Sequence, residues 1–199
     1  MFALADAGLT LVWQEPVTAV YAHVQQGRLD DRLTKLEHAS AAPLARAIAS
    51  APDPQRRVGV AARAFARRVH PGDPIARLRI PRLGVSAVVV QGTAGDDLSK
   101  GPGHYPKTPL PGERGTVGIA GHRTTFGAWF RHIDDLKPGD PIRVAMPYGT
   151  FTYRVQRTRI VPSDALWITN QVSYNRLVLS ACHPLYSASE RIVVFARLA

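Results

Sequence analysis

The chain predicts a mainly β fold, a small barrel with short helices behind an N-terminal helical appendage, and three observations carry this. From Pro74 onward, short runs of β-branched and apolar residues are separated by turn-forming Gly, Pro, Asn and Asp. Before Pro74 the apolar residues recur instead at three- and four-residue spacing. The 199 residues, 45% of them hydrophobic, suffice for one sizeable core plus an appendage and carry no disordered or collagen-like bias. The division expected is 1–73 for a helical, juxtamembrane segment and 74–199 for the barrel.

Taken in order, Phe2 to Trp13 is apolar but interrupted by Asp6 and closed by Gln14-Glu15-Pro16. A spanning helix takes about 20 nearly uninterrupted apolar residues, and no basic leader or cleavage site precedes it. The expectation is a membrane anchor whose upstream part is missing, with the chain held at the outer face of the cell membrane. Val17, Val20, Tyr21, Val24, Leu29, Leu33 and Leu36 predict a helix over 17–42, ended by Pro43. A second, basic helix is expected from Gly59 to Val69. Ile75 to Ile80 alternates apolar and basic residues, Val85 to Gln91 is a β-branched run, and Thr116 to Ala120 and Ile142 to Ala145 are short apolar strands. Pro147-Tyr148-Gly149 turns a hairpin into Thr150 to Val161. Phe126 to Leu136 reads as helical, stopped by Pro138-Gly139. Leu177 to Ala181 and Ile192 to Leu198 complete about eight strands.

The formal net charge of +10 admits nucleic acid, anionic lipid or a polyanionic wall as partner. Nucleic acid is the weakest of these, because no Lys/Arg block alternates with aromatics and no helix-turn-helix or RNA-binding signature is present. With one cysteine there is neither an internal disulfide nor a zinc-type ligand set. The loop acids Asp96-Asp97, Asp134-Asp135 and Asp140 lack calcium-loop spacing, so no metal and no cofactor is expected.

The chemistry centres on that cysteine. Cys182 ends the apolar run Leu177-Val178-Leu179-Ser180-Ala181, where a strand gives way to a loop and a side chain can face a cleft. A thiol of ordinary pKa ~8.5 needs a base beside it to react at neutral pH. His122, in Gly118-Ile119-Ala120-Gly121-His122-Arg123, ends another strand-like run. His104 is the main competitor among the seven histidines, whereas His183 points away from its neighbour Cys182 on an extended chain. Arg191 opens the next strand and supplies a fixed positive charge; Arg123, Arg176 and Arg197 are the alternatives.

These residues resemble the catalytic set of the sortases. The likeness covers about residues 74–199. It rests on Gly121-His122-Arg123 with Thr124-Thr125-Phe126-Gly127, on Leu136-Lys137-Pro138-Gly139-Asp140, and on Leu179-Ser180-Ala181-Cys182-His183-Pro184 with Arg191. The chain resembles most the class E-like sortases of actinobacteria. Many sortases carry Thr-Leu-x-Thr-Cys at the nucleophile strand, and here the run is Val178-Leu179-Ser180-Ala181-Cys182.

The resemblance implies an eight-stranded β-barrel cysteine transpeptidase that cuts a sorting signal, Leu-Ala-x-Thr-Gly or Leu-Pro-x-Thr-Gly, between Thr and Gly. Its partners would be secreted proteins bearing that signal and an amine of a peptidoglycan or lipid-linked precursor. Cys182 would form the thioester, His122 would move the proton and Arg191 would hold the oxyanion or the substrate backbone. Ser180, Ala181 and Tyr105 are expected to contact substrate. In class E-like sortases a tyrosine in the matching loop goes with preference for alanine over proline, and a phenol can accept from a backbone N–H that proline lacks. A pilin-polymerising sortase, a hydrolytic cysteine protease and a non-catalytic wall-binding barrel are the other readings of the same residues.

Overall fold

A computed structural model describes residues 16–51 and 53–199; the apolar start read as part of an anchor lies outside them. Helix α1 spans Pro16–Ala49 and runs through Pro43, seven residues past the expected end. An interior proline loses one N–H and crowds the carbonyl four residues back, at a cost of about 3 kcal/mol. The turn beyond it repays this by burial, because Leu44 is 3% exposed and packs with Ile48 against the barrel core. Helix α2 spans Pro54–Ala66 and starts five residues before the expected Gly59. The Asp53 side chain accepts from Arg56 N at 2.8 Å, and Pro54 opens the helix where its missing N–H costs nothing.

Eight strands follow: β1 Pro74–Ile80, β2 Val85–Gln91, β3 Gly103–His104, β4 Gly115–Ala120, β5 Pro141–Met146, β6 Gly149–Pro162, β7 Asn175–His183 and β8 Glu190–Leu198. They close into a barrel in the order β1-β2-β3-β4-β7-β8-β6-β5. Pairing is antiparallel except at β2–β3 and β4–β7. A four-residue helix, α3, covers Gly95–Leu98. The mainly β barrel with its N-terminal helices is as expected. Of the eight strands only β3, two residues long, had no pattern of its own.

The expected helix over Phe126–Leu136 does not form. Phe126 at φ +48 and Ala128 at φ +42 are left-handed, and the only helical turn there is a 3-10 turn at Ile133–Asp135. Successive turns nonetheless drop Phe130, Ile133 and Leu136 into the core, which reproduces a three-residue apolar spacing without a helix.

Alternation sorts each strand into two faces. Val117 and Ile119 of β4, Leu177, Leu179 and Ala181 of β7, and Ile192, Val194 and Ala196 of β8 fill the barrel, joined by Ala61, Ala62 and Phe65 of α2. On the outer face Val178, Val193 and Phe195 pack beneath the loop carrying Ile168.

Helix α1 lies against the wall formed by β1 and β2. Leu29 and Leu33 pack on Val88 and Val90. The Gln26 side chain donates to Val88 O (3.0 Å) and Lys100 O (2.9 Å) and accepts from Val88 N. Arg77 of β1 bonds Asp30, Thr34 and Glu37. Among the described residues no helix is long and apolar enough to cross a membrane.

Candidate active site

The outer face of β4, β7 and β8 brings three of the expected residues to one edge. In β7 the side chains of Ser180 and Cys182 alternate with those of Leu179 and Ala181, which belong to the core. Cys182 therefore faces outward and is half-buried. The antiparallel register sets Arg191 directly opposite it, Cys182↔Arg191, so both side chains leave the same face of the sheet. The parallel register Ala120↔Ser180 and the bond from Gly121 N to Ser180 O (3.0 Å) carry His122 to the level of Cys182, two residues beyond the pair.

His122 is half-buried, and that burial holds its imidazole below the usual pKa of 6.5. Its ring packs on Phe126, 5.4 Å between centroids. Its carbonyl accepts from Phe130 N at 3.0 Å. A side chain at Gly121 would meet the Phe130 ring at 2.6 Å, so the close approach of loop and strand here requires glycine. At neutral pH such an imidazole is uncharged and able to accept a proton.

Arg191 Nη1 donates to Ala188 O and Glu190 O, both at 2.8 Å. These bonds hold the guanidinium beside a groove of about 360 Å³ lined by Tyr105, Pro106, Thr108, Leu166 and Ile168 as well as Arg191. Leu166 stands 83% exposed at its lip. Cys182 itself lines a second hollow, about 300 Å³, together with Arg123, Thr124, Thr125, Tyr186 and Ala188.

Of the residues expected to touch substrate, Tyr105 lines the groove and its hydroxyl lies 2.9 Å from Ser180 Oγ. Ser180 is 2% exposed and reaches the groove through that bond. Ala181 turns its side chain into the barrel, so only its backbone is available to the outer face.

The competitors are engaged with other partners. His104 is buried in β3, with Nε2 donating to Pro109 O (3.0 Å) and Nδ1 2.9 Å from the Gln91 amide oxygen. Burial lowers its pKa to about 4. Arg176 bonds Thr116 Oγ1 and Asn170 O and lies over Phe195. Arg197 lies over Tyr174. Arg123 is buried with its guanidinium paired to Asp134 (2.9 Å) and bonded to Arg131 O, and its Nη1 lies 3.3 Å from His183 Nδ1. It thus fixes the loop between the two strand ends, a role its place next to His122 in sequence did not reveal. Leu136-Lys137-Pro138-Gly139-Asp140 is a turn: Lys137 N donates to Asp140 Oδ2 (2.8 Å), and Asp140 pairs with Arg82. Among the described residues no cluster of three or more His, Cys, Asp or Glu could hold a metal.

The model of the sortase domain matches residues 78–199. Sortase D of Bacillus subtilis is 36% identical over 124 residues, 60% of this chain and 61% of that protein. Sortase SrtE1 of Streptomyces coelicolor is 31% identical over 144 residues, 64% of this chain and 41% of that one. The chain thus spans less than two thirds of the length of either relative. The solved structure of sortase E1 from Streptomyces coelicolor with a tripeptide in the active site superposes with a TM-score of 0.61 at 27% identity, over 66% of this chain and 91% of that one. The matched span covers well over half of the chain and the solved structure superposes on the barrel, and the chain belongs to the sortase family.

Proposed function

We propose that the protein is a class E-like sortase, a cysteine transpeptidase working at the outer face of the cell membrane on secreted proteins that carry a Leu-Ala-x-Thr-Gly or Leu-Pro-x-Thr-Gly signal. The observation that carries this reading is the opposition of Cys182 and Arg191 across β7–β8, with His122 brought level by the parallel β4–β7 pair. His122 takes the thiol proton as Cys182 Sγ attacks the Thr carbonyl carbon, and the C–N bond to Gly breaks as His122 gives that proton to the departing amine. The thioester is then opened by an incoming amine, which gives its proton to His122. Arg191 meets the oxyanion or the substrate backbone, where the charge develops. The groove past Arg191 and Tyr105 suits the apolar half of the signal. The hollow past Thr124 and Tyr186 suits the leaving glycine and then the acceptor amine of a peptidoglycan precursor.

Mass spectrometry of the protein with both signal peptides and, in parallel, a glycine, a diaminopimelate-type or a lysine side-chain amine tests the reading. Cleavage after Thr with an amine-joined product, lost in Cys182→Ala, is expected. Arg191→Ala is expected to lower kcat/KM by about 100-fold or more. Cleavage to free acid alone would favour a hydrolytic protease, and lysine as the sole acceptor a pilin-polymerising enzyme. No product dependent on Cys182 would leave a non-catalytic barrel.

A further inference from the structure

The segment after His122 is held from a distant part of the chain. Phe126, whose ring packs on His122, donates its backbone N–H to Thr18 Oγ1 at 3.2 Å, across 108 positions of sequence. The Tyr21 ring meets the Phe126 ring edge-on at 6.3 Å. His23 stacks on Trp129 at 6.0 Å in the same loop. Thr18, Tyr21 and His23 all belong to the opening turns of α1.

The loop needs such support. Left-handed φ at Phe126 and Ala128 costs an L-residue on the order of 1–3 kcal/mol each and persists only where the surroundings enforce it. From the barrel side the loop is tied through Phe130 N to His122 O and through Arg123. On the remaining side it meets α1, which is itself fixed to the wall by Gln26 and by Leu29 and Leu33. Among the described residues α1 lines neither the groove beside Arg191 nor the hollow beside Tyr186.

We propose that the start of α1 is a positioning strap for the catalytic histidine: Thr18 and Tyr21 hold Phe126, and through Phe126 they set the His122 imidazole. The inference rests on the transpeptidase reading for the role of His122. It makes α1 a support of catalysis rather than a cover over the cleft. Because the strap reaches the proton carrier through Phe126 and lines neither groove, its loss falls on turnover and leaves peptide binding in place.

The test uses the full chain. Thr18→Val with Tyr21→Ala is expected to lower kcat on the order of 10-fold with KM within about twofold, since small displacements of a reacting group are costly. Thr18→Ser with Tyr21→Phe keeps the acceptor and the ring and restores turnover. Val20→Ala, on the same turn but 65% exposed, leaves it unchanged. A second readout needs no substrate: the His122 Cε1–H proton resonance, assigned by its loss in His122→Gln, shifts in the double variant as the Phe126 ring moves. If the double variant does not fold, Tyr21→Leu is read in the same two ways. Unchanged kcat with an unmoved resonance overturns the strap, and so does a rise in turnover, the mark of a cover. If the wild-type protein joins no peptide, the transpeptidase reading fails, and the resonance still decides the strap.

Discussion

The hydroxyl of Tyr105 lies 2.9 Å from Oγ of Ser180, a residue that shares the outer face of β7 with Cys182. Each oxygen can donate once and accept twice, so the phenol keeps capacity for a further bond while Ser180 fixes its position. Tyr105→Phe removes that capacity and keeps the ring. The ratio of kcat/KM for Leu-Ala-x-Thr-Gly over Leu-Pro-x-Thr-Gly peptides is expected to fall; an unchanged ratio means that the phenol does not read the second signal position.

Gly118 lets Tyr105 lie where it does. A Cβ on Gly118 would stand 2.6 Å from Tyr105 Cδ2, closer than packed atoms approach. Gly118→Ala is therefore expected to push the tyrosine outward and reproduce the specificity change of Tyr105→Phe, with a stability loss of about 1–3 kcal/mol in urea titration. Wild-type peptide preference in Gly118→Ala would uncouple the glycine from the ring.

The burial of His122 gives a pH expectation. With its pKa held below 6.5, the ring stays neutral, and able to accept a proton, at pH values where an exposed histidine is charged. The acid limb of the kcat/KM profile should accordingly fall below pH 6.5. A limb at or above 6.5 would sink the assignment of that limb to His122.

His104 makes the same physics a matter of stability. Its folded pKa of about 4 is depressed from 6.5 by burial, so the unfolded chain binds the extra proton between these values. The folded state keeps its full stability above pH 6.5 and loses about 3 kcal/mol as pH falls to about 4. Urea midpoints across that window should drop in the wild-type protein and flatten in His104→Gln. An equal slope in both would remove His104 as the cause.

The sequence was most legible where periodicity and burial coincide. The outward and inward residues of β7 and β8 alternate as the pattern requires, and the lone Cys182 stands at the end of such a run. β3 escaped because two residues carry no period. Pro43 misled because buried Leu44 outweighs the break, and Phe126 to Leu136 misled because turns as well as helices can bury every third residue. At the candidate site, chemistry could be read residue by residue, but levels could not. That Arg191 rather than Arg176 or Arg197 faces Cys182 follows from the β7–β8 register, which no single segment encodes. The contact of Thr18 with Phe126 joins segments too far apart to be read locally.

The parallel pairing of β4 with β7 also sets which changes in length the chain can absorb. His122 and Cys182 leave the same end of the barrel because Ala120 and Ser180 share a rung. Added residues in the connection between Pro162 and Asn175 would leave that rung intact. One residue inserted within β4 or β7 would carry one partner about 3.3 Å along the strand and turn it toward the core. Loop length can therefore change without moving the two side chains apart, while the spacing within these two strands cannot, like the jaws of a gauge.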